Sequence, residues 1–174
     1  MNKTFSQVMK HGCATIAYPA APLDLPEGYR GKPDHKEAMC IACSACAIAC
    51  PPNAISMHLD EGNNNIVWNI CYGRCIFCGR CEEVCPVDAI ELSQDFELAV
   101  LNKPDLTEEC AYPIARCRKC GKPYASAKEI DYAKQVLVAS GGAAAANVDV
   151  CDICEDCRRK DDANALKHMS KRGE

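Results

Sequence analysis

Cys40, Cys43, Cys46 and Cys50, followed by Pro51, are echoed by Cys75, Cys78, Cys81 and Cys85, followed by Pro86. Both runs read C-x2-C-x2-C-x3-C-P. Thiolates at this spacing are ligands for iron–sulfur cubanes. Three of them, two residues apart, wrap a tight loop around one cubane. The fourth lies too far along the turn to close the same cube, so it reaches the other cluster. The proline that follows stops the chain from continuing as regular helix or central strand. The spacing therefore predicts one [4Fe-4S] cluster on Cys40, Cys43, Cys46 and Cys85, and a second on Cys75, Cys78, Cys81 and Cys50. Structural zinc or disulfides in this stretch are the weaker alternative, given the doubled spacing.

A second cysteine group lies downstream. Cys117-Arg118-Lys119-Cys120-Gly121 is one C-x2-C knuckle; Cys151-Asp152-Ile153-Cys154 is another, and Cys157 follows at the same spacing. Two knuckles on either side of a helical insert suit a tetrahedral thiolate site. Cys117, Cys120, Cys151 and Cys154 are the expected ligands, with Cys157 as the competitor. Zinc suits such a closed site, and a single iron has the same geometry. A third cluster is disfavoured because Cys151–Cys157 supplies only three thiolates of the cubane run. Free reduced thiols are the bland alternative. Cys13, Cys71 and Cys110 are not expected to be ligands, and His11, His35, His58 and His168 are read as surface or packing residues. No Ser/His/Asp grouping, H-E-x-x-H or phosphate-binding glycine loop occurs, so catalysis by this chain alone, or a small-molecule substrate, is not expected.

The elements that must position these thiols follow from the repeat, whose offset is 35 residues. Each copy leads from a ligand loop into a short helix, around 47–49 or 82–84, and then into a strand at 55–59 or 89–92. In the first copy, residues 60–65 turn into a strand at 66–70. In the second, residues 93–95 are expected to turn into a strand at 96–101. The fold class is α+β: a two-cluster bacterial ferredoxin-like core with an extended N-terminal arm and a small C-terminal Cys-knuckle module, zinc-ribbon or rubredoxin-like. Three segments are expected. Residues 1–36 hold an amphipathic stretch on Phe5, Val8 and Met9, which Asn2 or Thr4 would cap, and a proline-rich docking arm with Tyr18 and Tyr29 as anchors. Residues 37–101 form the cluster domain. Residues 102–174 form the four-cysteine extension, with a helix at 125–139 ended by Gly141-Gly142, a mobile Ala143–Ala146 run, and a charged tail.

Sixteen cysteines in 174 residues, mostly at C-x2-C spacing, point to metal ligation in a reducing compartment. Residues 1–11 lack the apolar region of a signal peptide, and no run of apolar residues is long enough for a membrane span. The net charge of −4 is segmental: +2 over residues 1–36, −9 over 37–110 and +3 over 111–174. An acidic cluster domain with mildly basic flanks argues against a nucleic-acid partner.

These residues resemble a known family. RGKPD at 30–34 and CIFCGRCEEVCPVDAIELSQDFELAV at 75–100 look like the eight-iron ferredoxin subunit shared by respiratory complex I and group 4 membrane-bound [NiFe] hydrogenases. GCATIAYP at 12–19 also fits. RCRKCGKPYASAKEIDYA and VCDICEDC look like the branch of that family found as the iron–sulfur subunit of formate hydrogenlyase or hydrogenase-4. The resemblance implies an electron-transfer subunit of a membrane-associated oxidoreductase complex. Its implied partners are the hydrogenase small and large subunits, another ferredoxin-like subunit delivering electrons from formate dehydrogenase, and membrane-arm subunits. It implies a peripheral position on the cytoplasmic face of the inner membrane. The alternatives are a complex I-type subunit passing electrons towards quinone, against which the knuckles argue, and a stand-alone ferredoxin, which needs neither arm nor extension.

Overall fold

The computed structural model describes residues 3–12, 15–60 and 62–170. Asn2, Cys13 and Glu61, and the side chain of His168, lie outside the described residues. In chain order the elements are α1 (Lys3–His11), β1 (Pro33–His35), α2 (Ala45–Ala49), β2 (Ile55–Asp60), β3 (Asn65–Cys71), α3 (Arg80–Glu83), β4 (Ile90–Leu92), β5 (Thr107–Arg116), β6 (Pro123–Ser126), α4 (Ala127–Ser140), α5 (Gly142–Ala146) and α6 (Glu155–Ser170).

The first hairpin forms as the alternation predicts. β2 and β3 are antiparallel, with Ile55 opposite Ile70 and Asp60 opposite Asn65. Asp60 Oδ1 closes the turn by accepting the N–H groups of Gly62 (3.1 Å) and Asn63 (3.2 Å). The sheet does not stop there. β5 adds to the free edge of β3, and β6 adds to β5, giving the order β2-β3-β5-β6.

The second copy departs from the expected hairpin. β4 pairs with β1, Pro33 opposite Leu92 and His35 opposite Ile90, so the N-terminal arm supplies its partner. Residues 96–101 form no strand. Phe96 instead meets the rings of Tyr18 (5.5 Å) and Tyr29 (6.3 Å), which anchor the arm to its own chain. Gly31 makes this approach possible: its N–H donates to Ser93 O at 2.9 Å, and a Cβ there would sit against the carbonyls of Asp95 and Ser93. The expected boundaries at 36/37 and 101/102 thus fall between elements that share sheets.

The core lies between the four-stranded sheet and the ligand loops. Trp68, Ile70 and Tyr112 are almost completely buried, joined by Ile55, Ile90 and Ala42. Each large apolar side chain contributes roughly 1.5–3 kcal/mol by leaving water. Tyr72, at the end of the hairpin, places its hydroxyl between the Glu108 carboxylate and Pro33 O (3.3 Å), tying β1 to β5.

At the N-terminus, Phe5, Val8 and Met9 form the expected apolar stripe of α1 and all are exposed. Thr4 lies inside the helix rather than capping it, and Gly12, at φ +61°, ends it. At the other end, Gly141 and Gly142 take positive φ and end α4. The Ala143–Ala146 run is helical in α5, and the charged tail continues α6 to Ser170.

Candidate metal centres

The ligand loops repeat at the level of backbone angles. Ala42 (φ 54°) matches Phe77 (52°), Ser44 (65°) matches Gly79 (82°), and Asn53 (50°) matches Asp88 (50°). Residues with side chains rarely adopt this left-handed region, so its recurrence marks a conformation that the site demands. The turned backbone aims N–H groups at sulfur. Cys40 Sγ accepts from Ala42 (3.3 Å) and Cys75 Sγ from Phe77 (3.4 Å). Cys50 Sγ accepts from Ala54 (3.2 Å) and Cys85 Sγ from Ala89 (3.1 Å).

Two cavities result. Cys40, Cys43, Cys46 and Cys85 line one, with His35, Trp68 and Ile90. Cys50, Cys75, Cys78 and Cys81 line the other, with Pro33, Ile55 and Leu92. In each, three cysteines of one copy meet the fourth cysteine of the other, the grouping that the spacing predicts. None of these thiols is in a disulfide. Burial pushes Cys43, Cys46 and Cys75 above the ordinary thiol range, and Cys81 up to about 11. Neighbouring cysteines repel charge further. A half-buried thiol quartet with N–H donors already aimed at it suits a cationic iron core, which offsets that penalty.

The first cavity has an aromatic wall. The His35 imidazole stacks on Trp68 at 3.8 Å and 18°, and Tyr112 Oη lies 3.5 Å from His35 Nε2. Burial holds His35 below its ordinary range, against the pull of Glu108. These three residues come from β1, β3 and β5. His35 is the packing residue that the sequence suggests, although it packs on the cavity wall. Trp68 carried no signal in the sequence beyond strand alternation.

A third group of thiols gathers at the C-terminal module. The sulfurs of Cys117, Cys120, Cys154 and Cys157 all lie within 4.8 Å of one another. Cys157 therefore takes the place expected for Cys151. The reason is local. Cys154 and Cys157 straddle the start of α6, where a separation of three puts both on one side. Cys151 belongs to the 3-10 turn Val148–Asp152, and its carbonyl accepts from the Tyr124 hydroxyl. The acidic pair Glu155 and Asp156 marks that helix start in the sequence. Cys117, Cys154 and Cys157 are buried and Cys120 is exposed. The Cys154 N–H donates to Cys117 Sγ at 3.3 Å and holds that thiol down at about 6.

Cys71 and Cys110 line neither cysteine cavity and do not belong to the C-terminal group. They are half-buried free thiols on β3 and β5.

Paired cysteine cavities related by an internal repeat, backed by an antiparallel hairpin, define a two-cluster ferredoxin-like protein. Residues 39–89 match the 4Fe-4S dicluster domain family. Formate hydrogenlyase subunit 6 of Escherichia coli (strain K12) is 43% identical over 155 residues, 88% of this chain and 86% of that protein. The chain belongs to the family of formate hydrogenlyase subunit 6. NADH-quinone oxidoreductase subunit I of Pseudomonas putida is 40% identical over 120 residues, covering 62% of this chain and 65% of that protein. Among solved structures, a chain of an archaeal membrane-bound sulfane sulfur reductase aligns over 61% of this chain and 59% of its own length, with TM-score 0.45 and 24% identity. No helix among the described residues is long and apolar enough to cross a membrane.

Proposed function

We propose that this chain relays electrons within a membrane-associated [NiFe] hydrogenase or formate hydrogenlyase complex. The observation that carries the reading is the convergence of two cysteine quartets, each drawn from both copies of the repeat, in a chain whose family likeness covers 88% of its length. Cys40, Cys43, Cys46 and Cys85 hold one [4Fe-4S] cluster, and Cys75, Cys78, Cys81 and Cys50 the other. Bound there, the clusters supply one-electron carriers.

The chain's own residues do the rest. The four backbone N–H donors stabilise charge on sulfur. Ala42, Ile55, Ile70 and Ile90 exclude water. Cross-ligation ties the two copies together and fixes the separation of the carriers. Ile48, 85% exposed beside Cys46 and Cys50, and Ile76, 60% exposed beside Cys75, are apolar surfaces that neighbouring subunits would cover.

Cys117, Cys120, Cys154 and Cys157 form a closed structural site for zinc, or for a single iron of the same geometry. The partners we assign are the hydrogenase small and large subunits, a ferredoxin-like subunit bringing electrons from formate dehydrogenase, and membrane-arm subunits. The exposed apolar stripe of α1 lies against that assembly on the cytoplasmic face of the membrane.

Iron, acid-labile sulfide and zinc, counted on anaerobically purified protein, test this reading. Eight irons and eight sulfides, the content of two 4Fe-4S clusters, with one zinc, support it. A ninth iron in place of zinc puts iron in the C-terminal site. Iron without matching sulfide overturns the relay.

A further inference from the structure

The backbone treats the two cavities alike. Each offers two N–H groups to cysteine sulfur, from Ala42 and Ala89 in one and from Phe77 and Ala54 in the other. The side chains do not. In the first cavity the indole N–H of Trp68 is buried and has no hydrogen-bond partner of its own, while the residue is 1% exposed. A buried donor left unmade costs about 1–3 kcal/mol, so a wall residue of this kind implies an acceptor in the space that it faces.

Trp68 lines the cavity together with Cys40, Cys43, Cys46 and Cys85. Stacking on His35 fixes the plane of the ring. In the second cavity the one polar side chain in the wall is Arg80, whose guanidinium is taken by Glu83 at the exposed rim. The Tyr72 hydroxyl nearby is committed to Glu108 and Pro33.

We propose that the Trp68 indole N–H donates a hydrogen bond to a sulfur of the cluster held by Cys40, Cys43, Cys46 and Cys85, and raises the reduction potential of that cluster alone. The inference rests on the cluster reading above. A donor at sulfur favours the reduced state, which carries one more negative charge, and in a buried site its dipole is poorly screened. Trp68 is thus a tuning residue: it binds no iron and carries no electron.

The chain has one tryptophan, so selective labelling reads this contact directly. The full-length protein is loaded with clusters, its iron and sulfide are counted, and its tryptophan is labelled with 15N at the indole nitrogen. Pulsed EPR of the reduced protein is expected to show a 15N coupling on one cluster signal. The two signals are assigned with Cys50→Ala and Cys85→Ala chains. In Trp68→Phe, the potential of the cluster lost in Cys85→Ala is expected to fall while the other stays in place. Two full clusters with no 15N coupling, or an equal shift of both potentials, overturn the role of Trp68 and leave the relay intact. If Trp68→Phe fails to take up clusters, the labelled wild-type spectrum decides by itself. A wild-type chain that binds no cluster overturns both readings.

Discussion

Cys40 and Cys75 each accept an N–H from the residue two positions on, and Cys50 and Cys85 each accept one from the residue four positions on. Around these matching loops the walls diverge. Strand residues Trp68 and His35 back the first cavity, and Trp68 lies on β3, which pairs with β5. The second is closed by Pro33, Leu92 and Ile76, with Pro33 and Leu92 paired in the short β1–β4 ribbon. An internal repeat preserves what ligation needs, a local loop conformation. What surrounds the loops is free to differ, and hydrogen bonding and solvent access set a cluster's potential. Two copies of one motif can in this way become two unlike carriers.

The largest effect should come from breaking cross-ligation. Cys50→Ala is expected to remove the cluster whose other ligands are Cys75, Cys78 and Cys81, and about half of the cubane iron. Cys85→Ala should do the same to the first cluster. EPR on each variant would falsify the pairing if the lost signal belonged to the sequence neighbours instead.

Next is the C-terminal site, where Cys157→Ser and Cys151→Ser should part company. The first should weaken metal binding by more than the roughly 10–100-fold typical of outer-shell changes, and the second should leave it in place. Competition with a chelator measures both. Retention of metal in Cys157→Ser together with loss in Cys151→Ser would restore the ligand set expected from the knuckle spacing.

The ribbon walls both cavities, the second with Pro33 and Leu92 at the end next to Gly31 and the first with His35 and Ile90 at the far end, so it offers a way to loosen the second more than the first. Gly31→Ala drives a Cβ into the carbonyls of Ser93 and Asp95, at a cost of about 1–3 kcal/mol. The second cluster, walled by Pro33 and Leu92, should then decay faster in air than the first. Equal rates of bleaching for both signals would remove the distinction. The mildest change is Tyr72→Phe. It deletes the contacts to Glu108 and Pro33 O, and should lower stability by about 1 kcal/mol in a denaturant titration without altering cluster content.

Much of this molecule could be read from its cysteines. The spacing C-x2-C-x2-C-x3-C-P is a statement about reach along a few residues, and it named the two quartets that line the cavities. The β2–β3 hairpin and α4 were legible for the same reason: alternation, helical period and Gly141-Gly142 are local signals. Legibility failed where the partner is distant in the chain. Residues 96–101 have the composition of a strand, yet the edge of β4 is taken by β1, whose residues lie more than 50 positions earlier. The pattern of Thr107–Arg116 reads as a connector until β3 offers it an edge.

Cys151, Cys154 and Cys157 are equally spaced, so spacing could not choose among them. The start of α6 chose, by turning Cys154 and Cys157 to one side. Likewise Trp68 is only a strand residue until β1 brings His35 onto its face and the ligand loops close a cysteine cavity against it. Sequence by itself determined which thiols line one cavity together, because reach along a ligand loop is set by a few covalent bonds. Tertiary structure alone decided what surrounds each set, because burial and hydrogen-bond partners depend on strand edges and packing faces that no local pattern encodes.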